Sequence, residues 1–144
     1  MRSITEIIIH CSDTPDGQRF YAKDIDSWHR KRGFDGIGYH FVVPVDGRLE
    51  QGRRVGRIGA HAKPWNRNSI GICMIGRDRF SLPAWDCLRT LVVGLHSVYP
   101  KARIMGHRDV PGVAKTCPNF DVAAWVSLGF QPETNQIWVG DVYI

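Results

Sequence analysis

A chain of 144 residues, 43% hydrophobic and 23% charged, is long enough for one domain with a real core and needs neither disulfides nor repeats to fold. No apolar run approaches the roughly 20 residues that span a bilayer, and the opening MRSITEIIIHCSD offers only residues 7–9 as an apolar core, too few for an export signal, so a cytoplasmic protein is expected. The net charge of +5 favours anionic partners, whether nucleic acid, a membrane surface or an acidic wall polymer, without choosing among them.

The first strand is predicted over residues 4–10, where three consecutive isoleucines indicate burial on both faces and His10 falls at the end. A helix follows over 22–32: Tyr21, Ile25 and Trp28 share a stripe, Asp24 and Asp26 sit in the first turn, and Gly33 stands at the C-terminal cap. The basic run HRKRG at 29–33 then reads as the last turn of that helix facing its own dipole. Residues 39–45 form a second strand, and Asp46-Gly47 signals a hairpin into 48–51. NSIGICMIG, 68–76, is another buried strand. A long helix over 82–99 is capped by Ser81, carries Trp85, Leu88, Val92, Leu95 and Tyr99 on one stripe, and stops at Pro100. A strand over 102–107 delivers His107 to its C-terminal end, and Asp121 caps a short helix through Trp125. The tail after Phe130, with Trp138 and Tyr143, is expected to add an edge strand at most. Strands alternating with helices predict an α/β fold: a single domain, residues 1–144, with a central mixed sheet flanked by helices.

The segment GHRDVPGVAKTCPN, 106–119, carries a histidine, a lysine and a cysteine. Its prolines and glycine forbid a continuous helix, so the chain must loop back between His107 and Cys117. Imidazole and thiolate are donors that zinc prefers. In α/β sheets ligands gather beyond the strand ends, which supplies His10 as third donor. Three protein ligands with one open position is the pattern of a catalytic zinc rather than a structural one. Cys11 competes with His10, but alternation along a strand sends the two side chains to opposite faces. Cys73 and Cys87 read as small buried hydrophobes, and reduced thiols are expected throughout. His29 and His96 take packing or solvated roles on helices, His40 alternates away from Tyr39, and His61, in the loop AHAKPWN, is equally suited to ligand contact and to structure.

HCSDTP, GYHFVV, AHAKPWNRNSIGI and GHRDVPGVAKTCP occur in an order that resembles the zinc-dependent N-acetylmuramoyl-L-alanine amidases, specifically the short phage lysozyme-amidases (endolysins) that share a fold with peptidoglycan recognition proteins. The resemblance covers about residues 4–125 and leaves the tail from about 128 unassigned. It implies that His10, His107 and Cys117 bind one Zn2+, that Tyr39 and Lys115 are catalytic helpers, and that His61 with Asn66 or Asn68 lines the substrate groove. One departure is a longer His-to-Cys loop than in the short phage amidases, nearer to the cytoplasmic recycling amidases, which place Asp where Cys117 stands. The implied substrate is peptidoglycan, cut between the lactyl group of N-acetylmuramic acid and L-alanine by a monomer that accumulates in a host cytoplasm before reaching the wall.

That chemistry is coherent with the residues. Zinc brings the pKa of bound water to roughly 7, and Lys115 is placed to stabilise an oxyanion. Tyr39, ordinarily near 10, is expected to orient water or relay a proton, its pKa lowered by the metal and Lys115. Rival readings are a non-catalytic peptidoglycan-binding module on the same fold, a second role contacting a phage RNA polymerase, a glycosidase with paired carboxylates, and a cysteine hydrolase built on Cys117 and His107. A nucleic-acid-binding protein is disfavoured, since neither a helix-turn-helix nor an aromatic-basic sheet pattern is present.

Overall fold

The computed structural model describes residues 2–140. In chain order these contain β1 (Glu6–Cys11), α1 (Ala22–Lys31), β2 (Phe41–Val43), β3 (Glu50–Gln51), β4 (Ser69–Met74), β5 (Phe80–Ser81), α2 (Leu82–Val98), β6 (Arg103–Gly106), α3 (Val122–Ser127) and β7 (Ile137–Trp138). Five strands make one sheet in the order β3-β2-β4-β1-β6, and β5 pairs with β7 apart from it. β2, β4, β1 and β6 run parallel while β3 is antiparallel to β2. The result is the expected single α/β domain with a mixed central sheet.

Side-chain alternation along the central strands divides the core into two layers. Ile7, Ile9 and Cys11 of β1 join Ile70, Ile72 and Met74 of β4 beneath Trp85, Leu88 and Val92 of α2 and Val122 and Trp125 of α3. On the opposite face Ile8 packs with Ala62, Met105 and Val110, and Val42 and Cys73 pack with Ile25 of α1, Ile37 and Ile75. Ile7, Ile8 and Ile9 are fully buried, which is why β1 reads as a continuous apolar run rather than an alternating one. Each such side chain stabilises the fold by about 1.5–3 kcal/mol.

The helix ends follow their sequence signals. Asp24 accepts the Tyr21 N–H at 2.8 Å at the start of α1. Ser81 Oγ accepts the Ala84 N–H at 3.1 Å, and its hydroxyl donates to the Val45 carbonyl at 2.6 Å, tying α2 to the loop after β2. Asp121 accepts the Ala124 N–H at 3.0 Å and starts α3, which continues two residues past Trp125.

Several boundaries differ from expectation. β1 runs on to Cys11, so His10 is the penultimate residue of its strand. β2 is only three residues long, because Pro44 has no N–H to continue the ladder. The expected tight hairpin at Asp46-Gly47 is a longer connection: Gly47 N–H donates to the Pro44 carbonyl, Asp46 Oδ1 accepts from Arg48 N, and pairing resumes only at Val42 with Glu50. Tyr39 lies ahead of β2, anchored where its carbonyl accepts the Arg53 N–H. β6 stops at Gly106, and His107 begins a short 3-10 turn. The tail does form a strand, but β7 pairs with β5 rather than with an edge of the five-stranded sheet; Tyr143 lies outside the described residues.

His40 fastens the sheet to the loop after β3. It is fully buried, its Nδ1 accepts the Gly71 N–H at 3.0 Å and its Nε2–H donates to the Arg57 carbonyl at 2.8 Å, with the Arg2 guanidinium 3.0 Å from the same nitrogen. Burial, reinforced by the charges of Arg2 and Arg53, brings its pKa from 6.5 down to about 4. Below 6.5 the unfolded chain therefore takes a proton that the folded chain refuses, so stability falls as pH drops toward 4, by roughly 3 kcal/mol at the acid end. Urea unfolding should show a midpoint that declines between pH 7 and 4.5, with a shallower decline in His40→Gln despite its lower stability at pH 7. An identical pH slope in the variant would contradict this assignment.

Candidate metal centre and groove

The parallel strands deliver their C-terminal ends to one edge of the sheet, and His10 lies there, buried and paired in register with Cys73. His107 arrives from β6. Beyond it Val110 N–H donates to the His107 carbonyl, Val113 N–H to the Val110 carbonyl, and the chain returns so that Arg108 N–H donates to the Cys117 carbonyl at 2.8 Å. The return limb lies directly on the strand end: a Cβ on Gly106 would stand 2.8 Å from Cδ of Pro118, so only glycine admits it. The ten-residue spacing thus closes on itself, and the extra length bulges outward instead of parting the donors.

One donor atom from each of His10, His107 and Cys117 lies within 4.8 Å of the others, the one such group of His, Cys, Asp or Glu found among the described residues. The imidazoles of His10 and His107 are 4.5 Å apart between centroids. Burial holds both rings below the ordinary histidine pKa, with His61, His107 and Lys115 adding to the effect at His10 and Lys115 adding to it at His107. Both are therefore neutral at neutral pH with a lone pair to offer. Cys117 is pushed below the ordinary thiol by the Cys11 side chain, by the Cys11 N–H donating to its Sγ at 3.1 Å, and by Lys115, against opposing burial. Cys11 moves upward and stays a thiol. Of the two neighbouring cysteines, Cys117 is the one shifted toward the thiolate and Cys11 supports that shift, while alternation puts Cys11 on the α2 face. Two neutral imidazoles and a thiolate suit zinc.

These residues border a groove of about 1150 Å³ that also takes in Tyr39, His61, Asn66, Lys115, His29, Phe34 and Arg32. The Tyr39 ring is 5.1 Å from that of His10. Burial, and after it the thiols of Cys73, Cys117 and Cys11, drives its phenol well above 10, the reverse of the lowering expected from Lys115. Lys115 is exposed on the return limb and bears on all three donors. His61 rests against His10, and Asn66 Oδ1 accepts the backbone N–H groups of His61 and Ala62 at 2.9 and 2.8 Å. Asn68 is not brought to the groove: it precedes the N-terminal end of β4, and its side chain donates to the Ser3 carbonyl at 2.8 Å.

Two supports of the site go beyond the sequence reading, which gave His29 only a packing or solvated role and did not single out Asn119. His29 is buried, its Nδ1 accepts the Gly38 N–H at 2.9 Å, and its ring lies 5.5 Å from Tyr39; its place four residues after Ile25 on the buried stripe was the available signal. Asn119, at φ 68°, donates to the Arg77 carbonyl at 2.7 Å and accepts from Gln136 Nε2 at 3.2 Å, joining the Cys117 limb to the tail. No local pattern announces that contact.

Comparison with known proteins gives a consistent picture. The family model described as N-acetylmuramoyl-L-alanine amidase matches residues 1–120. The endolysin of Enterobacteria phage T3 is 37% identical over 133 residues, 86% of this chain and 87% of that protein. The endolysin of Enterobacteria phage K11 is 34% identical over 133 residues, 87% of each chain. The solved N-acetylmuramoyl-L-alanine amidase LysC from Clostridium intestinale URNW superposes with a TM-score of 0.78 at 25% identity, over 89% of this chain and 87% of that one.

The charge assignment at Cys117 has a direct consequence in metal-free protein. Iodoacetamide at neutral pH should alkylate Cys117 ahead of Cys11, Cys73 and Cys87, whose thiols burial and neighbours push upward. Lys115→Met should move the midpoint of the Cys117 pH–rate curve to higher pH, because the cation favours the thiolate. First modification of Cys11, or an unmoved curve in the variant, would reverse the assignment.

Proposed function

The chain belongs to the N-acetylmuramoyl-L-alanine amidase family and is a peptidoglycan-cleaving amidase of the endolysin type, and from that premise we propose how its groove divides the work. His10, His107 and Cys117 hold one Zn2+, and Tyr39 and Lys115 act on the scissile amide between N-acetylmuramic acid and L-alanine. The observation that carries this reading is the convergence of two imidazoles and a cysteine sulfur, contributed by two parallel strand ends and a return loop, at one side of an open groove. When bound, the ion supplies a water of lowered pKa and Lewis-acid pull on the substrate carbonyl.

The protein's own groups do the remainder. Lys115 brings a mobile cation to the place where negative charge develops on the carbonyl oxygen, a contribution of about 3 kcal/mol, or roughly 10²–10³ in rate. Tyr39, held protonated by its surroundings, donates a hydrogen bond that orients the water or the carbonyl. His61 and Asn66 form the wall beside His10. The basic balance of the chain draws it to an anionic wall polymer, and among the described residues no helix is long and apolar enough to cross a membrane.

Purified peptidoglycan should yield soluble fragments bearing new alanine amino termini, from protein containing one zinc per chain. Cys117→Ala should lose both zinc and activity. Lys115→Met should keep its zinc while kcat falls roughly 10²–10³-fold, and Tyr39→Phe should likewise keep zinc and lose rate. Tight wall binding without new amines would instead identify a binding module, and full activity in metal-free protein would overturn the zinc assignment.

A further inference from the structure

His61 makes contacts that lining a groove does not require. Its Nδ1 stands 2.8 Å from Nε2 of His10, and its Nε2 stands 3.2 Å from Oγ of the fully buried Ser69. Its backbone is clamped in turn by Asn66. The sheet has also made room for its ring. A Cβ on Gly71 would lie 2.5 Å from Cγ and Cδ2 of His61, and one on Gly59 would lie 2.7 Å from Cδ2. Gly71 is an interior residue of β4, so the strand gives up a side chain on that face and an imidazole occupies the space.

We propose that His61 is a positioning residue for the metal centre: it accepts the Nε2–H of His10, passes its own Nε2–H to Ser69, and so leaves Nδ1 of His10 bare as the ligand atom. The proposal rests on the zinc reading above and gives His61 a different task from contacting substrate. A neutral histidine that binds a metal through one ring nitrogen carries its proton on the other, and the partner of that proton fixes the tautomer and the ring's orientation. At His10 the outer nitrogen is Nε2, because His61 occupies it. That choice propagates: Nδ1 of His61 must be the acceptor, its proton must sit on Nε2, and Ser69 Oγ must receive it. His10 lies on a strand with no freedom to move, so this relay sets which edge of the imidazole faces the other two donors. Partners of this kind change metal affinity by roughly 10–100-fold when removed.

The test compares the full chain with His61→Leu, His61→Asn and Ser69→Ala. Leucine fills the volume without an acceptor, whereas the Asn Oδ1 falls near the position of Nδ1. Zinc affinity, measured by competition with a chromophoric chelator, should weaken about 10–100-fold in His61→Leu, return close to wild type in His61→Asn, and weaken less in Ser69→Ala, which leaves the His10 contact in place. The absorption bands of the cobalt-substituted protein should change in His61→Leu and recover in His61→Asn. Long-range proton–nitrogen NMR of the zinc-loaded wild type should show His61 protonated on Nε2. Equal zinc affinity and an unchanged cobalt spectrum in His61→Leu, or a His61 proton on Nδ1, overturns the proposal. Wild-type protein that binds no zinc overturns the metal reading beneath it, which the chelator competition reports separately.

Discussion

Everything at the groove depends on the burial of β1 between two layers. A strand covered on both faces has its register and its side-chain directions fixed, because a slip of one residue would exchange every side chain between layers. Ile7 and Ile9 are held under α2 and Ile8 on the opposite face, so His10 must follow Ile8 and Cys11 must follow Ile9. The same alternation that stabilises the core thus separates two adjacent metal-capable residues. His10 points into the groove, and Cys11 remains beneath, where its N–H and thiol reach Cys117. No local motif around His10 has to aim it.

The low dielectric at that edge does the second part of the work. Burial penalises charged imidazole, so His10 and His107 stay neutral, and the same burial would keep a thiol protonated. At Cys117 the hydrogen bonds from Cys11 and the Lys115 charge oppose that penalty and shift the thiol downward. Environment alone therefore sets four nearby titratable groups apart: two neutral lone-pair donors, one thiol shifted toward the anion and one kept protonated. Tyr39 is treated in the opposite way: deeper in the groove and surrounded by thiols, it keeps its proton and is suited to donating a hydrogen bond rather than to acting as a base near neutral pH.

The parts of this arrangement legible in the sequence were those governed by local rules. β1, α1, α2 and the caps at Ser81 and Asp121 follow from apolar periodicity and from side chains that accept backbone N–H groups, and His10 and His107 follow from strand ends. What escaped is long-range. The pairing of β7 with β5 brings together segments more than fifty residues apart. Asn68 is named beside Asn66 by the family resemblance, yet the 3-10 turn they share points one to the groove and the other to Ser3. The direction of the Tyr39 shift depends on burial and, after it, on Cys73, Cys117 and Cys11, which only the fold gathers around it.

The central claim is that one ion is held by His10, His107 and Cys117 with an open position. X-ray absorption at the zinc edge of the purified protein measures this most directly. The account expects two nitrogen neighbours at about 2.0–2.1 Å and a single sulfur at about 2.3 Å, with a light atom completing the shell, and loss of the sulfur distance in Cys117→Asp. A shell with two or more sulfurs, which would bring Cys11 in as a ligand, or one with no sulfur at all, would contradict it.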